Sequence, residues 1–359
     1  MEILTLARPD DWHLHLRDGA MLRAVLPHSA CHFARALIMP NLTPPIVSAA
    51  QARAYHGRIR AALPRGSDFQ ALMTLYLTED SDPQDIATAH ARGDITAVKL
   101  YPQGITTHAA AGVRDFAKLR PVLEVMAANG IPLCIHGEDN NPTTDIFDRE
   151  ARFIERILDP MRRATPGLRV VLEHITTCEA IDYVREGGKD LAATLTVHHL
   201  FLNRTHILGH GLRPHYYCLP IAKREHHRLA LRKAATSGEA CFFLGTDSAP
   251  HSDADKQSAC GCAGCFTAPV AMALLAYVFE EENALCHLEA FASRNGAAFY
   301  RLPVNEGTLT LTRHDAPVPG AAKVSSAAGP ITVFAPCLAQ GGPLRWRAAP
   351  CPTLLQREG

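Results

Sequence analysis

The stretch DWHLHLRD (residues 11–18) alternates apolar and polar side chains. Successive side chains of a β-strand point to opposite faces, so His13, His15 and Arg17 share one face. The three apolar residues among them share the other face, which we expect to pack against helices. The pattern predicts a strand that sends two imidazoles and one guanidinium into the interior of a sheet or barrel.

Seven further apolar runs follow along the chain. They are ALIMPN (36–41), FQALMTLYL (69–77), AVKLYP (97–102), IPLCIHGED (131–139), RVVLEHI (169–175), AATLTVHHL (192–200) and CFFLGTD (241–247). Stretches with helical spacing separate most of them, as at 48–63, 113–130 and 144–161. Strands that alternate with helices predict parallel pairing through right-handed crossovers. Eight such units close a (β/α)8 TIM barrel, an α/β fold.

An open doubly wound sheet also alternates strands with helices. It usually carries a glycine-rich turn after its first strand, and none follows residues 11–18. Helices at about 266–281 and 285–299 fit the last crossover of a barrel. The remaining Pro- and Gly-rich residues predict a short irregular C-terminal extension. We therefore predict one domain over 1–359, with the barrel at about 11–300 and the extension at about 301–359.

The composition excludes several classes of partner. The 359 residues include 36 Lys and Arg against 36 Asp and Glu, and zero net charge disfavours nucleic-acid or anionic-membrane binding. The longest uncharged apolar stretch, at 266–279, fits a buried helix better than a membrane span. No secretory signal is visible, so the 11 cysteines are expected to be reduced thiols in a cytoplasmic protein.

Side chains that can bind metal recur at the ends of four more predicted strands. They are Lys99, His136, His174 and Asp247. Each one alone is usually a structural polar residue at a strand end, and a single His-x-His pair is equally consistent with a structural role. Together with His13 and His15 they all fall at the carboxyl ends of strands, where TIM-barrel active sites lie. Barrel closure also places the eighth strand beside the first, so we expect Asp247 to meet His13 and His15.

Lys99 is the unusual member of this set, because an ammonium has no lone pair for a metal ion. A charged lysine inside a barrel beside cations is costly. Its amine fits if it has reacted with carbon dioxide to give N6-carboxylysine, an anionic carbamate whose two oxygens can bridge two ions. We then expect His13, His15 and Asp247 to bind one ion. His136 and His174 bind the other, and the carbamate and a hydroxide are shared; imidazole and carboxylate ligands favour two Zn²⁺ per subunit.

Seven motifs, in order between residues 11 and 266, resemble those of the compact single-domain bacterial dihydroorotases, within the amidohydrolase superfamily. They are DWHLHLRDG, MPNLTPP, AVKLYPQGITT, CIHGED, LEHITT, GTDSAPH and CGCAGCF. The resemblance implies a zinc-dependent hydrolase that acts on a cyclic amide. Its reaction is the reversible cyclisation of N-carbamoyl-L-aspartate to L-dihydroorotate and water, in de novo pyrimidine (UMP) biosynthesis. The resemblance also implies a homodimer.

The resemblance assigns a role to each matching position. The metal ligands are the six residues named above, with Lys99 carbamylated and Asp247 also serving as the acid/base. The expected carboxylate-binding residues are Arg17, Asn41 and His251. The backbones of Leu219 and Ala263 match contacts to the amide groups of the substrate ring. Thr106 and Thr107 match the tip of a loop that closes over substrate. In this mechanism a metal-bridging hydroxide attacks the ring carbonyl, and Asp247 passes the proton to the departing nitrogen.

Two alternative functions stay open on the sequence. One is another cyclic amidohydrolase, such as a hydantoinase or dihydropyrimidinase. Those chains wrap a β-sandwich from both termini around the barrel, and a first strand at residue 11 leaves no room for its N-terminal part. The other is a barrel that has lost catalysis and acts as a scaffold, although such proteins usually lack a metal ligand.

Several remaining cysteines and histidines have no assigned chemistry. Cys260, Cys262 and Cys265 could belong to a zinc knuckle, but no fourth ligand is suitably spaced, and a close-packed loop is favoured. His198 and His199 are interpreted as rim or core residues. Cys218 is interpreted as a small apolar filler.

Overall fold

Eight parallel strands pair in chain order to form the central sheet. The computed structural model describes residues 2–209, 211–315, 323–336 and 344–349. The central strands are β2 (Asp10–Leu14), β3 (Arg35–Ile38), β4 (Gln70–Tyr76), β5 (Ala97–Leu100), β6 (Leu133–His136), β7 (Val170–Glu173), β8 (Leu191–Leu195) and β9 (Phe242–Leu244). Every one lies within a predicted apolar run or within one residue of it, so the eight-strand prediction is confirmed.

The sheet closes on itself between its last and first strands. The Asp247 amide donates to the His13 carbonyl at 2.9 Å, and the His15 amide donates to the Ser248 carbonyl at 3.2 Å. These bonds continue β9 alongside β2, so the fold is a (β/α)8 barrel, as predicted. Closure also brings Asp247 to the first strand, as expected from the sequence.

Helices surround the barrel. They are α1 (Gly19–His32), α2 (Ala49–Ala62), α3 (Pro83–Ala91), α4 (Arg120–Asn129), α5 (Arg149–Phe153), α6 (Asp159–Ala164), α7 (Cys178–Glu186), α8 (Val197–Phe201), α9 (Arg204–Leu208), α10 (Glu225–Thr236), α11 (Asp253–Lys256), α12 (Ala271–Glu281) and α13 (Asn295–Phe299). Short 3-10 turns cover Phe116–Leu119, Pro214–Tyr216 and Leu285–His287, and π-helical turns cover Ile154–Leu158 and Ala290–Arg294. Capping residues determine where several of these helices begin. Ser48 and Gln51, for example, form a capping box at the N-terminus of α2. No helix among these is both long and apolar enough to cross a membrane.

The interior below the carboxyl-end rim is filled by a separate apolar cluster. Trp12 belongs to it, stacking on Tyr300 with ring centroids 4.3 Å apart. The alternation in β2 predicts Trp12 on the outer face, and that prediction is wrong. The pairing of β2 with β3 shifts register between Asp11 and Leu14, and such a bulge turns two consecutive side chains inward. Gly296 accommodates the indole, since a Cβ there would lie 2.0 Å from Trp12 Nε1.

The two ends of the described chain form a second, smaller sheet. Its strands are β1 (Glu2–Ala7), β10 (Thr308–Arg313) and β13 (Trp346–Ala348), with β10 central and both pairings antiparallel. A two-stranded ribbon of β11 (Lys323–Val324) and β12 (Ile331–Thr332) completes the extension. The extension is therefore more ordered than predicted. One strand of that sheet, β1, lies ahead of the barrel and is not among the eight strands predicted from the sequence. The tail from residue 350 lies outside the described residues.

Candidate active site

A cavity opens at the carboxyl ends of the barrel strands. Its lining comprises His13, His15, Arg17, Asn41, Tyr101, Thr106, Thr107, His136, His174, Leu219, Asp247, Ala249, Ala263 and Gly264. Eleven of these fourteen are residues that the sequence predicts for the site. The two others predicted, Lys99 and His251, lie in contact range of it, as described below.

One cluster at this rim joins the first and last strands. The Nε2 atoms of His13 and His15 lie 3.2 Å apart. Asp247 Oδ1 lies 3.4 Å from the former and 3.1 Å from the latter. All three side chains are buried. Three convergent ligand atoms at these separations can bind one metal ion.

The remaining imidazoles extend this cluster across the barrel. The ring centroids of His13 and His174 are 5.0 Å apart, and those of His174 and His136 are 4.7 Å apart. Lys99 reaches the same interior from β5 and is completely buried, with its Nζ 5.0 Å from the centre of the Tyr101 ring. The six predicted ligands therefore converge from five strands that are far apart in the sequence.

Buried polar atoms without a hydrogen-bond partner concentrate around this cluster. Among the described residues nine such side-chain atoms occur, and six belong to Tyr76, Lys99, Tyr101, Glu138, Glu173 and His174. Leaving a buried polar group unpaired costs about 1–3 kcal/mol, so this concentration indicates a site built around a polar or ionic group. Imidazole nitrogens, carboxylate oxygens and a buried amine fit a pair of metal ions.

Two buried glutamates orient the histidines, and the sequence analysis did not identify them. Glu173 Oε2 lies 2.8 Å from His13 Nδ1 and also accepts from the Thr194 hydroxyl at 2.6 Å. Glu138 Oε2 lies 2.7 Å from His136 Nε2. A carboxylate on one ring nitrogen fixes the tautomer and directs the other nitrogen's lone pair. Glu173 immediately precedes His174, so strand alternation predicts the opposite face for it.

Backbone conformation explains how adjacent residues both face inward. Arg17, His174 and Asp247 have positive φ values of 58°, 42° and 44°. Non-glycine residues rarely adopt this left-handed region, and such strain is typical of functional sites. Each of these three residues lies just beyond a strand, and its left-handed conformation directs a polar side chain toward the cavity.

Electrostatics at the site follow from burial. Burial lowers the pKa of Lys99 and lowers that of His15 and His174 well below the ordinary value for histidine. Burial raises the pKa of Asp247, while His13 and other cationic neighbours oppose that rise. Relative to the free side chains, these shifts move the equilibria toward the neutral imidazole and the neutral amine, the forms that can offer lone pairs.

A second set of polar residues, around the Arg17 guanidinium, lies beside the histidine cluster. Arg17 Nη2 lies 3.0 Å from His251 Nε2, which in turn lies 3.0 Å from the Ala263 carbonyl. The Asn41 amide donates to the Thr107 carbonyl at 3.1 Å, and the Thr107 hydroxyl donates to the Ala263 carbonyl at 3.4 Å. The predicted carboxylate-binding residues and the predicted loop tip thus lie together, next to the histidine cluster.

Fold and site together define an amidohydrolase. The amidohydrolase family profile matches residues 10–311, and the chain belongs to that family.

Individual relatives are similar to this chain at a more specific level than the family. The dihydroorotase of Ruegeria sp. (strain TM1040) is 66% identical over 336 residues, covering 94% of this chain and 97% of the relative. The crystal structure of Saccharomyces cerevisiae dihydroorotase in complex with 5-fluoroorotic acid superposes with a TM-score of 0.87 at 32% identity, covering 97% of this chain and 99% of that one. Within the amidohydrolases, the chain therefore falls among the dihydroorotases.

Hydantoinases share the fold at much lower sequence similarity. The L-hydantoinase of Arthrobacter aurescens has a TM-score of 0.73 at 13% identity, covering 92% of this chain and 85% of that one. This likeness shows the barrel architecture alone and does not favour the hydantoinase alternative.

Proposed function

We propose that this protein catalyses the reversible interconversion of N-carbamoyl-L-aspartate and L-dihydroorotate in pyrimidine biosynthesis. The observation that carries the proposal is the convergence of His13, His15, His136, His174, Lys99 and Asp247 on one cavity that also holds Arg17. The 66% identity to a dihydroorotase over nearly the whole chain supports the same substrate.

The proposed cofactor is a pair of zinc ions. His13, His15 and Asp247 would hold one ion, and His136 and His174 the other. Bound there, zinc supplies Lewis acidity and lowers the pKa of a water molecule toward neutrality. The unpartnered buried atoms around the cluster support this assignment.

Lys99 is proposed to bridge the two ions as a carbamate. The lone pair on its neutral Nζ would attack carbon dioxide, forming an N–C bond and releasing a proton. Burial lowers the pKa of this amine and so favours its reactive neutral form. The resulting anion would also remove the cost of a lone buried cation beside metal ions.

Asp247 is the proposed proton carrier. Its Oδ1 lies within the His13–His15 cluster and its side chain lines the cavity, so it contacts both a metal site and the space for substrate. In ring opening it would accept a proton from the attacking water and deliver it to the departing ring nitrogen. In ring closure the same carboxyl group would run these transfers in reverse.

Substrate orientation is assigned to the residues around Arg17. The Arg17 guanidinium, with Asn41 and His251, would bind the substrate carboxylate, since a guanidinium fork matches a carboxylate in geometry and charge. The backbones of Leu219 and Ala263 would contact the ring amide. The loop that carries Thr106 and Thr107 would cover the substrate from the position it already occupies against Asn41 and Ala263.

The proposal also covers the cellular location and the oligomeric state of the protein. Nine cysteines of the described part of the chain are free thiols, which suits a reducing cytoplasm. A homodimer is proposed from the resemblance to the compact dihydroorotases.

Substitution of Asp247 tests the proposed chemistry. Zinc-loaded Asp247→Asn should hydrolyse L-dihydroorotate about 10²–10⁴-fold more slowly than the unsubstituted enzyme, the usual range for loss of a general acid or base. The matched control is Asp253→Asn, another buried aspartate, which accepts hydrogen bonds from Lys323 and Thr332, does not line the cavity and should retain turnover. An unsubstituted protein without dihydroorotase activity would refute the function and favour the scaffold alternative. An unchanged rate in Asp247→Asn would refute the role of that residue.

A further inference from the structure

A second group of metal-binding side chains lies outside the proposed catalytic centre. His198, Cys218 and Cys265 are all buried, and one ligand atom from each lies within 4.8 Å of the other two. They come from α8 and from two loops that are separate in the sequence. The mechanism proposed above uses none of them.

His198 shares one feature with the catalytic centre: it has buried polar atoms without a hydrogen-bond partner. Both of its ring nitrogens are buried and have no hydrogen-bond partner, whereas its neighbour His199 uses both of its own, with Thr196 and the Pro220 carbonyl. A neutral imidazole always has one N–H and one lone pair, so His198 leaves both unsatisfied. Buried polar groups are almost always hydrogen-bonded, so two unpaired nitrogens on one buried ring indicate a site for a ligand such as an ion or a water molecule.

We propose that His198, Cys218 and Cys265 bind a third zinc ion, with a water molecule as the fourth ligand. Two thiolates and one imidazole form a Cys₂His set that zinc accepts in proteins. Zinc–sulfur bonds of about 2.3 Å place tetrahedral ligands about 3.8 Å apart, so closing the site requires shifts of only about 1 Å.

The surroundings accommodate the charges of this site. Two thiolates neutralise a divalent ion, which avoids a net buried charge. The two thiols are hydrogen-bonded to each other, and their other contacts are long: Cys218 Sγ lies 3.5 Å from His199 Nε2 and 3.6 Å from the Pro220 carbonyl, and Cys265 Sγ lies 3.6 Å from the His215 carbonyl. The nearby Lys256 ammonium donates to three backbone carbonyls and does not occupy a ligand position.

The other cysteine–histidine group is a weaker candidate. Cys178, His226 and His227 also lie within reach of one ion. However, His227 Nδ1 already accepts from the Cys178 amide at 3.0 Å, and His226 is exposed. None of its side-chain atoms is buried and unpartnered in the described structure.

The third ion would lie close to the substrate. Cys218 immediately precedes Leu219, and Cys265 lies two residues after Ala263, so an ion here would join two segments that line the cavity. This consequence rests on the proposed dihydroorotase function, whereas the metal site itself does not. Metal content and dihydroorotase activity are therefore measured separately, so that failure of one proposal can be distinguished from failure of the other.

Cobalt substitution provides the test. Co²⁺ bound to thiolate gives an intense charge-transfer band in the near ultraviolet, and the proposed catalytic centre contains no sulfur ligand. We expect the fully cobalt-loaded protein to show this band and to hold one ion more per chain than the binuclear centre requires. Cys265→Ser and His198→Gln should each lose one ion per chain, and Cys265→Ser should weaken or remove the band. Cys286→Ser, at an exposed cysteine, should leave both unchanged.

Three results would overturn the proposal. One is the absence of a thiolate band in the cobalt-saturated unsubstituted protein, a measurement that depends on no variant folding. Another is a band that survives in both Cys218→Ser and Cys265→Ser, since the sulfur ligands would then lie elsewhere. The third is a Cys218–Cys265 disulfide in freshly purified protein. Normal dihydroorotase activity together with any of these results would refute the third ion alone.

Discussion

The contact between Glu173 and His13 gives the sharpest test of how the catalytic cluster is organised. Glu173→Gln preserves the size of the side chain and removes its charge. The Glu173 side chain is fully buried, with Oε2 2.8 Å from His13 Nδ1 and 2.6 Å from the Thr194 hydroxyl. Burial opposes a charge there, but His13 and Lys99 hold the pKa of the carboxyl below its ordinary value. The folded protein therefore keeps a carboxylate directed at His13.

The expected magnitude follows from that contact. Loss of a carboxylate behind a metal-binding histidine typically weakens metal affinity 10- to 100-fold, which corresponds to about 1.4–2.7 kcal/mol. In chelator-buffered zinc, half-maximal activity of Glu173→Gln should move to free zinc concentrations higher by that factor. Activity should recover at saturating zinc, at least in part, because His13 itself is retained.

A matched substitution separates this effect from general destabilisation. Glu150 is equally buried but accepts hydrogen bonds from Thr176 and Thr177, not from an imidazole. Glu150→Gln should lower the free energy of unfolding and leave the zinc dependence unchanged. A zinc midpoint for Glu173→Gln within twofold of that of the unsubstituted enzyme would refute the orienting role.

Three further predictions concern binding, acid stability and metal loading. Arg17→Met should raise the KM for dihydroorotate about 10- to 150-fold with a smaller change in kcat, since it removes a charged hydrogen bond of about 1.5–3 kcal/mol; a normal KM counts against the carboxylate assignment. Burial lowers the pKa of His28 to about 4, with a smaller effect from His32, so below pH 6.5 the unfolded chain binds a proton that the folded chain does not. The free energy of unfolding therefore falls with pH, by about 2 kcal/mol from this group at pH 5. In urea unfolding, the decrease between pH 7.5 and 5 should be smaller by that amount in His28→Gln. Exposed His226→Gln should behave like the unsubstituted protein. Chelator-stripped enzyme should be inactive and should recover with zinc only when bicarbonate is supplied to carbamylate Lys99; full activity without metal would contradict the proposed cofactor.

The barrel could be predicted because its determinants are local. Each strand is a short apolar run between helical stretches, and parallel pairing then follows from the connections. The position of the site follows too, since all strands of such a barrel present their carboxyl ends to one rim. His13 and Asp247 could therefore be placed together before any contact between them was known.

The remaining features depend on departures from regular geometry. A bulge in β2 turns Trp12 inward, and a left-handed residue at His174 allows Glu173 to face the same interior. Neither irregularity has a signature in the alternation of side chains. The terminal sheet was missed for a different reason: β1 and β10 pair with each other from opposite ends of the chain, so no local connection signals their pairing.

The central claim is that separated strands assemble a carbamate-bridged pair of zinc ions, and anomalous diffraction at the zinc edge from crystals of the zinc-loaded enzyme tests it most directly. We expect one peak among His13, His15 and Asp247, a second beside His136 and His174, and density for a carboxyl group on Lys99 Nζ between them. A Lys99 side chain that ends in a free amine, or a rim without zinc peaks in active crystals, would contradict the account.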